Sequence, residues 1–351
     1  MVATNPPAIS ISNEINAATG IAVPVVDTTD PVATALSEVM IADDTAQADV
    51  TDWIKTNDSA TGTNKLANAE LNKRIMARFE SVRQGYEHFL HNHPDNAHAY
   101  LAYGSFLNDI GEEDGARAQY ENSRQLDPKN PAVWNNLANY YGEHGPVTNA
   151  FADYEQAIKL KPDEPVYYQN FATTVYLFRT DARQFYHLEE QQVFDKALGL
   201  YQQAMQLAPD NFVLATDYAE SYYGIRPLRT NDALMAWTNA MKIAHTDDER
   251  QGVEIHMARV KLAAGFYDQA QAHLDAVTNA AYLELKRRLE KSLADHKNPP
   301  TNSIEAKATS VTTMTNSMVN PSNPLPVAPN ISNASSNWLN APLPAREPTP
   351  P

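Results

Sequence analysis

Apolar and small residues return along this chain at a fixed distance. Pro94, Pro128 and Pro162 stand 34 residues apart, and so do Tyr86, Tyr120 and Tyr154, and the small residues Gly104, Ala138 and Ala172. Gly111 and Gly145, then Ala116 and Ala150, repeat the step. Independent columns sharing one period mark an internal repeat, which fixes the architecture before any single element is considered. Inside one period the spacing is helical. Trp134, Leu137 and Tyr141 advance by three and four, which predicts an apolar stripe on a first helix. Gly145 suits a turn. Ala150 and Ala157 are small enough for a second helix to approach its neighbours, with Tyr154 filling the space between. Pro162 ends that helix, because proline cannot continue the hydrogen-bond ladder.

The unit before it, 97–130, carries Tyr100, Tyr103, Gly104, Leu107, Gly111, Ala116, Tyr120 and Pro128, with Ser123 in place of the usual Ala. A third begins at Tyr168, Phe171, Ala172 and Val175 and closes at Ala197, Tyr201, Ala204 and Pro209. Its closing proline falls 47 residues after Pro162, so 13 extra residues are expected near 180–194. A fourth has Tyr218, Ala219, Tyr222, Ala233, Trp237 and Ala240, with a short insertion near 224–229 and His245 where proline would stand. Met257, Ala258, Gly265, Ala270 and Leu274 mark a degenerate fifth. At the ends, 63–96 (Ile75, Phe79, Val82, Tyr86, Phe89) reads as degenerate first helices, and 279–296 (Tyr282, Leu285, Leu289, Leu293) as a capping helix.

The unit from Pro131 to Glu164 resembles the tetratricopeptide repeat family, whose pattern is a large residue, Leu, a small residue and Tyr, then Ala, an aromatic and Pro. The resemblance implies an all-α fold, a right-handed α-solenoid of about five helical hairpins with its array over 97–278. It also implies a concave groove lined by first helices, a protein or peptide as partner, and no enzymatic activity. Groove-facing positions on that basis are Asn135, Asn139, Gln169 and Thr173, flanked by Asn108 and Glu220. Amides donate and accept, so they can grip an extended backbone without dictating its sequence; the alternative is ordinary solvated polar surface. A carboxylate clamp is not expected, because Leu101 and Ser105 occupy positions where it would want a base and an amide.

Charge sharpens the picture. The formal net charge is −16, and residues 1–60 hold nine acids against Lys55 alone. So acidic a chain repels phosphate backbones, which argues against nucleic acid. Arg179, Arg183, Arg226 and Arg229 gather in the two insertions and form either an anion patch, suited to an acidic or phosphorylated ligand, or surface ion pairs. His88, His91, His93 and His98 read as a solvated helix end rather than a metal site, and no cofactor is expected. With no cysteine, thiolate chemistry and disulfides are excluded. No nucleotide fingerprint or nucleophile elbow occurs. Neither a secretory signal nor a membrane span is seen, so the cytoplasm is the default compartment.

Residues 1–62 read as an acidic arm, mostly without structure, holding one short helix at 43–56 whose Trp53 docks on the first repeat. Residues 297–351, rich in Pro, Asn, Ser and Thr and containing Pro324-Leu325-Pro326 and Leu343-Pro344, read as a disordered tail with polyproline character. That tail is either merely solvated or a ligand for a proline-recognising surface. The alternative to a peptide-binding scaffold is a structural, self-associating spacer.

Overall fold

The computed structural model describes residues 30–61 and 65–297. The described residues form fourteen α-helices and two short 3-10 turns, and no strand occurs among them. None of these helices is long and apolar enough to cross a membrane. The chain divides into two compact units, one ending at Tyr168 and the other beginning at Gln169.

The first unit is three helical hairpins: α1 (Pro31–Thr61) with α2 (Lys65–Asn92), α3 (Ala97–Asp109) with α4 (Glu113–Leu126), and α5 (Pro131–His144) with α6 (Val147–Leu160). Starts are fixed locally. The Asn96 side chain accepts from the Ala99 amide at 2.9 Å, and Asn130 does the same for Ala132 at 3.0 Å ahead of Pro131 in the first turn of α5. Gly111 and Gly145 close α3 and α5 with φ of 80° and 73°, a conformation that other residues adopt only with strain. Gly104 belongs to the small-residue column for a visible reason. A Cβ there would lie 2.6 Å from the Tyr120 ring and 3.2 Å from the Ala116 carbonyl, so the α3–α4 approach depends on its absence. Val82, Tyr86, Phe89, Phe106, Leu107, Tyr120 and Leu137 share one core.

The N-terminal boundary departs from expectation. The helix around Trp53 begins at Pro31, not Asp43, and runs to Thr61. It is the first helix of a complete hairpin rather than a fragment in an arm. Leu36 and Ala46 belong to the core shared with α2 and α3, Val32 and Val39 pack against it, and Val50 is buried. Trp53 lies under the Arg74 guanidinium of α2, 3.7 Å from the ring centroid. Residues before 30, and the tail after 297, lie outside the described residues.

The second unit continues α7 (Pro165–Leu177) and pairs it with α9 (Glu190–Leu207). The 13-residue insertion is the short helix α8 (Arg179–Tyr186), anchored by the fully buried Ala182. Next comes α10 (Phe212–Glu220), extended by the 3-10 turn Ser221–Gly224, and α11 (Thr230–Ile243); the fourth-repeat insertion is the loop between them. The last hairpin is α12 (Asp247–Ala263) with α13 (Tyr267–Asp275), and α12 opens on a capping box between Thr246 and Glu249. After it α14 (Leu283–Lys297) covers the open end, setting Leu289 and Leu293 against Ala270, Leu274 and Val277.

Candidate protein-binding face

In the first unit the repeating tyrosines decide what the first helices can offer. Each comes from a second helix and sends its hydroxyl to a polar group of the first helix in its own hairpin. Tyr86 donates to Asp43 at 3.0 Å and Tyr154 to Asn139 at 2.6 Å, while the Tyr120 hydroxyl faces Ser105 and Asn136. Asn139 is therefore half-buried and already accepting a bond. Asn135 is 1% exposed, with its amide turned to Asn136 at 3.3 Å. Its neighbour Trp134 is the half-exposed one, donating its indole N–H to the Pro128 carbonyl at 2.9 Å beneath the Arg124 guanidinium. Asn108 is half-buried with its amide beside the Asp109 carboxyl. Asp43 is pushed up to about 7, chiefly by burial and further by the carboxylates of Asp109 and Asp44.

The second unit brings polar groups of three first helices together. Gln169 of α7 donates to Asp217 of α10 at 2.8 Å, and Thr173 shares a 2.7 Å bond with the Tyr201 hydroxyl of α9. Glu220, one turn beyond Asp217, is 8% exposed and has its Oε1 3.8 Å from Nε2 of His256 on α12. The His256 ring stacks on Trp237 with centroids 4.2 Å apart, and its Nδ1 lies 2.9 Å from the Tyr223 hydroxyl. The Arg259 guanidinium covers the Tyr223 ring at 4.4 Å. Burial dominates the acid–base behaviour here. It pushes Glu220 up to about 8, helped by Asp217 and opposed by Arg259, and pulls His256 down to about 3, with Arg259 adding to the effect. Asp217 rises to about 6 through burial, moderated by the bond from Gln169. At neutral pH the pair is a protonated carboxyl beside a neutral imidazole.

Of the six groove positions chosen from sequence, Asn108, Asn135 and Asn139 belong to the first unit and Gln169, Thr173 and Glu220 to the second. Asp217, His256 and Arg259 were missed. Asp217 lies one turn before the expected Glu220 on α10, and His256 and Arg259 share a face of α12 three residues apart. That face was hidden because the fifth repeat keeps too few consensus residues to set its register.

The four arginines of the insertions all lie in the second unit, and each is engaged. Arg179 meets Glu190 at 3.5 Å and Arg183 meets Glu189 at 3.4 Å. Arg229 bridges Asp195 at 2.6 Å and Gln191 at 2.9 Å, while Arg226 donates to the carbonyls of Tyr223 and Ile225 at 2.9 and 2.8 Å. They are spread over local ion pairs and a loop closure rather than turned on one point.

Among known proteins, the family model described as tetratricopeptide repeat matches residues 131–164. No curated protein matches the chain in sequence. Similar solved structures include PilW, a type IV pilus biogenesis factor, at 14% identity and a TM-score of 0.48, covering 65% of this chain and 99% of that one. PilF from Pseudomonas aeruginosa is 15% identical with a TM-score of 0.46, over 66% and 94% of the two chains. YrrB, described as a TPR protein with an unusual peptide-binding site, is 13% identical with a TM-score of 0.45, over 60% and 97%. The matched segment is the hairpin of α5 and α6, and hairpins of the same plan precede and follow it. Such hairpins serve in general as scaffolds for contacts between proteins, and residues 131–164 of this chain are similar to one tetratricopeptide repeat.

Proposed function

We propose that the chain is a non-catalytic scaffold that holds an extended segment of a partner protein on the first-helix faces of its hairpins. The face of the second unit carries the most discriminating contacts. The supporting observation is the convergence of Gln169, Asp217, Glu220 and His256 from three successive first helices. Glu220 is 8% exposed and forms no hydrogen bond among the described residues. Protonated at neutral pH, its carboxyl presents one O–H donor beside one carbonyl acceptor. That is the complement of a peptide unit, which offers one acceptor and one donor. A ligand amide that hydrogen-bonds this carboxyl in place of water gains about 0.5–1.5 kcal/mol.

The test selects peptides by display on the full chain and measures their binding calorimetrically. Gln169→Ala and Glu220→Ala should each weaken binding at least fivefold, whereas Met76→Ala, at a 73% exposed site on α2, should leave it unchanged. Equal affinity for wild type and both first-helix variants would remove this face from the reading.

A further inference from the structure

The first-helix face of the second unit carries a carboxylate without a counter-ion among the described residues. Val213, Asp217 and Glu220 advance by four and three along α10 and so form one stripe. It runs from an apolar side chain that is 51% exposed, over a half-buried carboxyl, to one that is 8% exposed. One oxygen of Asp217 accepts from the Gln169 amide at 2.8 Å, and the side chain makes no other hydrogen bond and no ion pair among the described residues. The ionisable groups beside it are no cations. Glu220 is a second carboxyl, and the Tyr201 hydroxyl of α9 is bonded to Thr173. Arg259 of α12 covers the Tyr223 ring and acts on Glu220.

Burial raises Asp217 only to about 6, so it is ionised at neutral pH, whereas Glu220 keeps its proton. The two carboxyls therefore call for different ligand groups. Glu220 suits a peptide unit. Asp217 is an anion partly withdrawn from water and held by a neutral amide, a costly state unless a cation meets it. The geometry also selects the kind of cation. Gln169 occupies one carboxylate oxygen, and a guanidinium binds best to both at once. An ammonium is a compact charge that needs only one. Lysine also brings a four-carbon stem that covers apolar surface while its charge meets an acid. Val213, one turn before Asp217, offers such surface.

On the footing that this face holds an extended partner segment, we propose that the segment presents a lysine. Its ammonium pairs with Asp217, its stem lies along Val213, and a neighbouring peptide unit meets Glu220. The net charge of −16 draws a basic segment in from a distance.

Random heptapeptides are selected by display on the full chain, and the tightest binder is resynthesised with acetyl and amide ends for calorimetry. Lysine should dominate one position. Norleucine there keeps the stem and removes the charge, and should weaken binding at least tenfold; arginine should weaken it at least threefold. Asp217→Asn retains an acceptor for Gln169. It should weaken the lysine peptide at least tenfold and leave the norleucine peptide unchanged. The wild type gives a check that needs no substitution in the protein. From pH 7 to 5 the lysine peptide should lose affinity as Asp217 takes up a proton, and the norleucine peptide should not. A selected peptide that binds equally well with norleucine would sink the ammonium site and leave the scaffold standing, because Glu220→Ala would still weaken both peptides. A preference for arginine over lysine, or equal sensitivity of the two peptides to Asp217→Asn, would overturn the pairing as well. Selection of no peptide at all would remove the scaffold reading itself.

Discussion

The two units fill the same repeat column with different chemistry. In the first, the column is Tyr86, Tyr120 and Tyr154, and every hydroxyl reaches the first helix of its own hairpin, that of Tyr120 facing Asn136 of the next one as well. Polar first-helix side chains there are drawn into holding the hairpins closed. In the second, the column begins with Tyr201, bonded to Thr173, and then changes to Trp237 and Leu274. Trp237 gives its ring to stacking with His256, and no hydroxyl reaches across to α10. Asp217 and Glu220 are thereby released from their own hairpin and meet groups of neighbouring first helices instead. Regular repeats consume their polar groove residues internally, and the degenerate ones leave them for other partners.

The largest effect should come from Trp237→Ala. This fully buried indole is the platform for His256, and emptying its site should cost about 3–5 kcal/mol, read as a fall in the urea midpoint. A loss below about 1 kcal/mol would mean that the indole is not the centre of that hairpin. Next comes the hydroxyl bond of the first unit. Tyr154→Phe keeps the ring and strips the donor from Asn139, so about 1 kcal/mol should be lost at equilibrium. If stability is unchanged, the tyrosine column acts by shape alone and the contrast between the units weakens.

A third effect is one of pH, and it belongs mainly to the second unit. Glu220 titrates at about 8 when folded against 4.5 ordinarily, so the folded chain keeps a proton that the unfolded chain releases, and stability falls as pH rises between those values. His256 works the other way. Its drop from 6.5 to about 3 means that the unfolded chain takes the extra proton, so stability rises with pH over that lower window. Above pH 6.5 only the carboxyl trend persists, joined by Asp43 of the first unit at about 7. From pH 6.5 to 8 the wild type should lose about 1–2 kcal/mol, and Glu220→Gln should lose distinctly less. Parallel slopes in urea titrations of the two proteins would assign the effect elsewhere.

Much of the architecture was legible because it is periodic. The 34-residue step placed α3 to α6 and the 13-residue excess located α8, since small residues and tyrosines are demanded wherever hairpins meet. Orientation within a helix was harder to read. Asn135 and Trp134 are neighbours, and the 100° between adjacent helical positions is enough to bury the amide and half-expose the indole. Polarity suggested the reverse. The helix α1 went unread because acids and alanines mask its pattern. Yet Val32, Leu36, Val39, Asp43, Ala46 and Val50 step by four and three, and the one polar member is the partner of Tyr86. In the candidate face, Glu220 was legible as a position but not as a protonated group, since that depends on His256 and Arg259 arriving from the least regular repeat.

The pairing of α1 with α2 bears on how the molecule can be shortened. Cutting away everything before residue 63 to discard an acidic leader would remove half of a hairpin. Val82, Tyr86, Phe89 and Leu90, each under a tenth exposed, would lose the cover that α1 gives their helix. The trimmed product would present a greasy flank to its own kind and clump, whatever the quality of the repeats behind it.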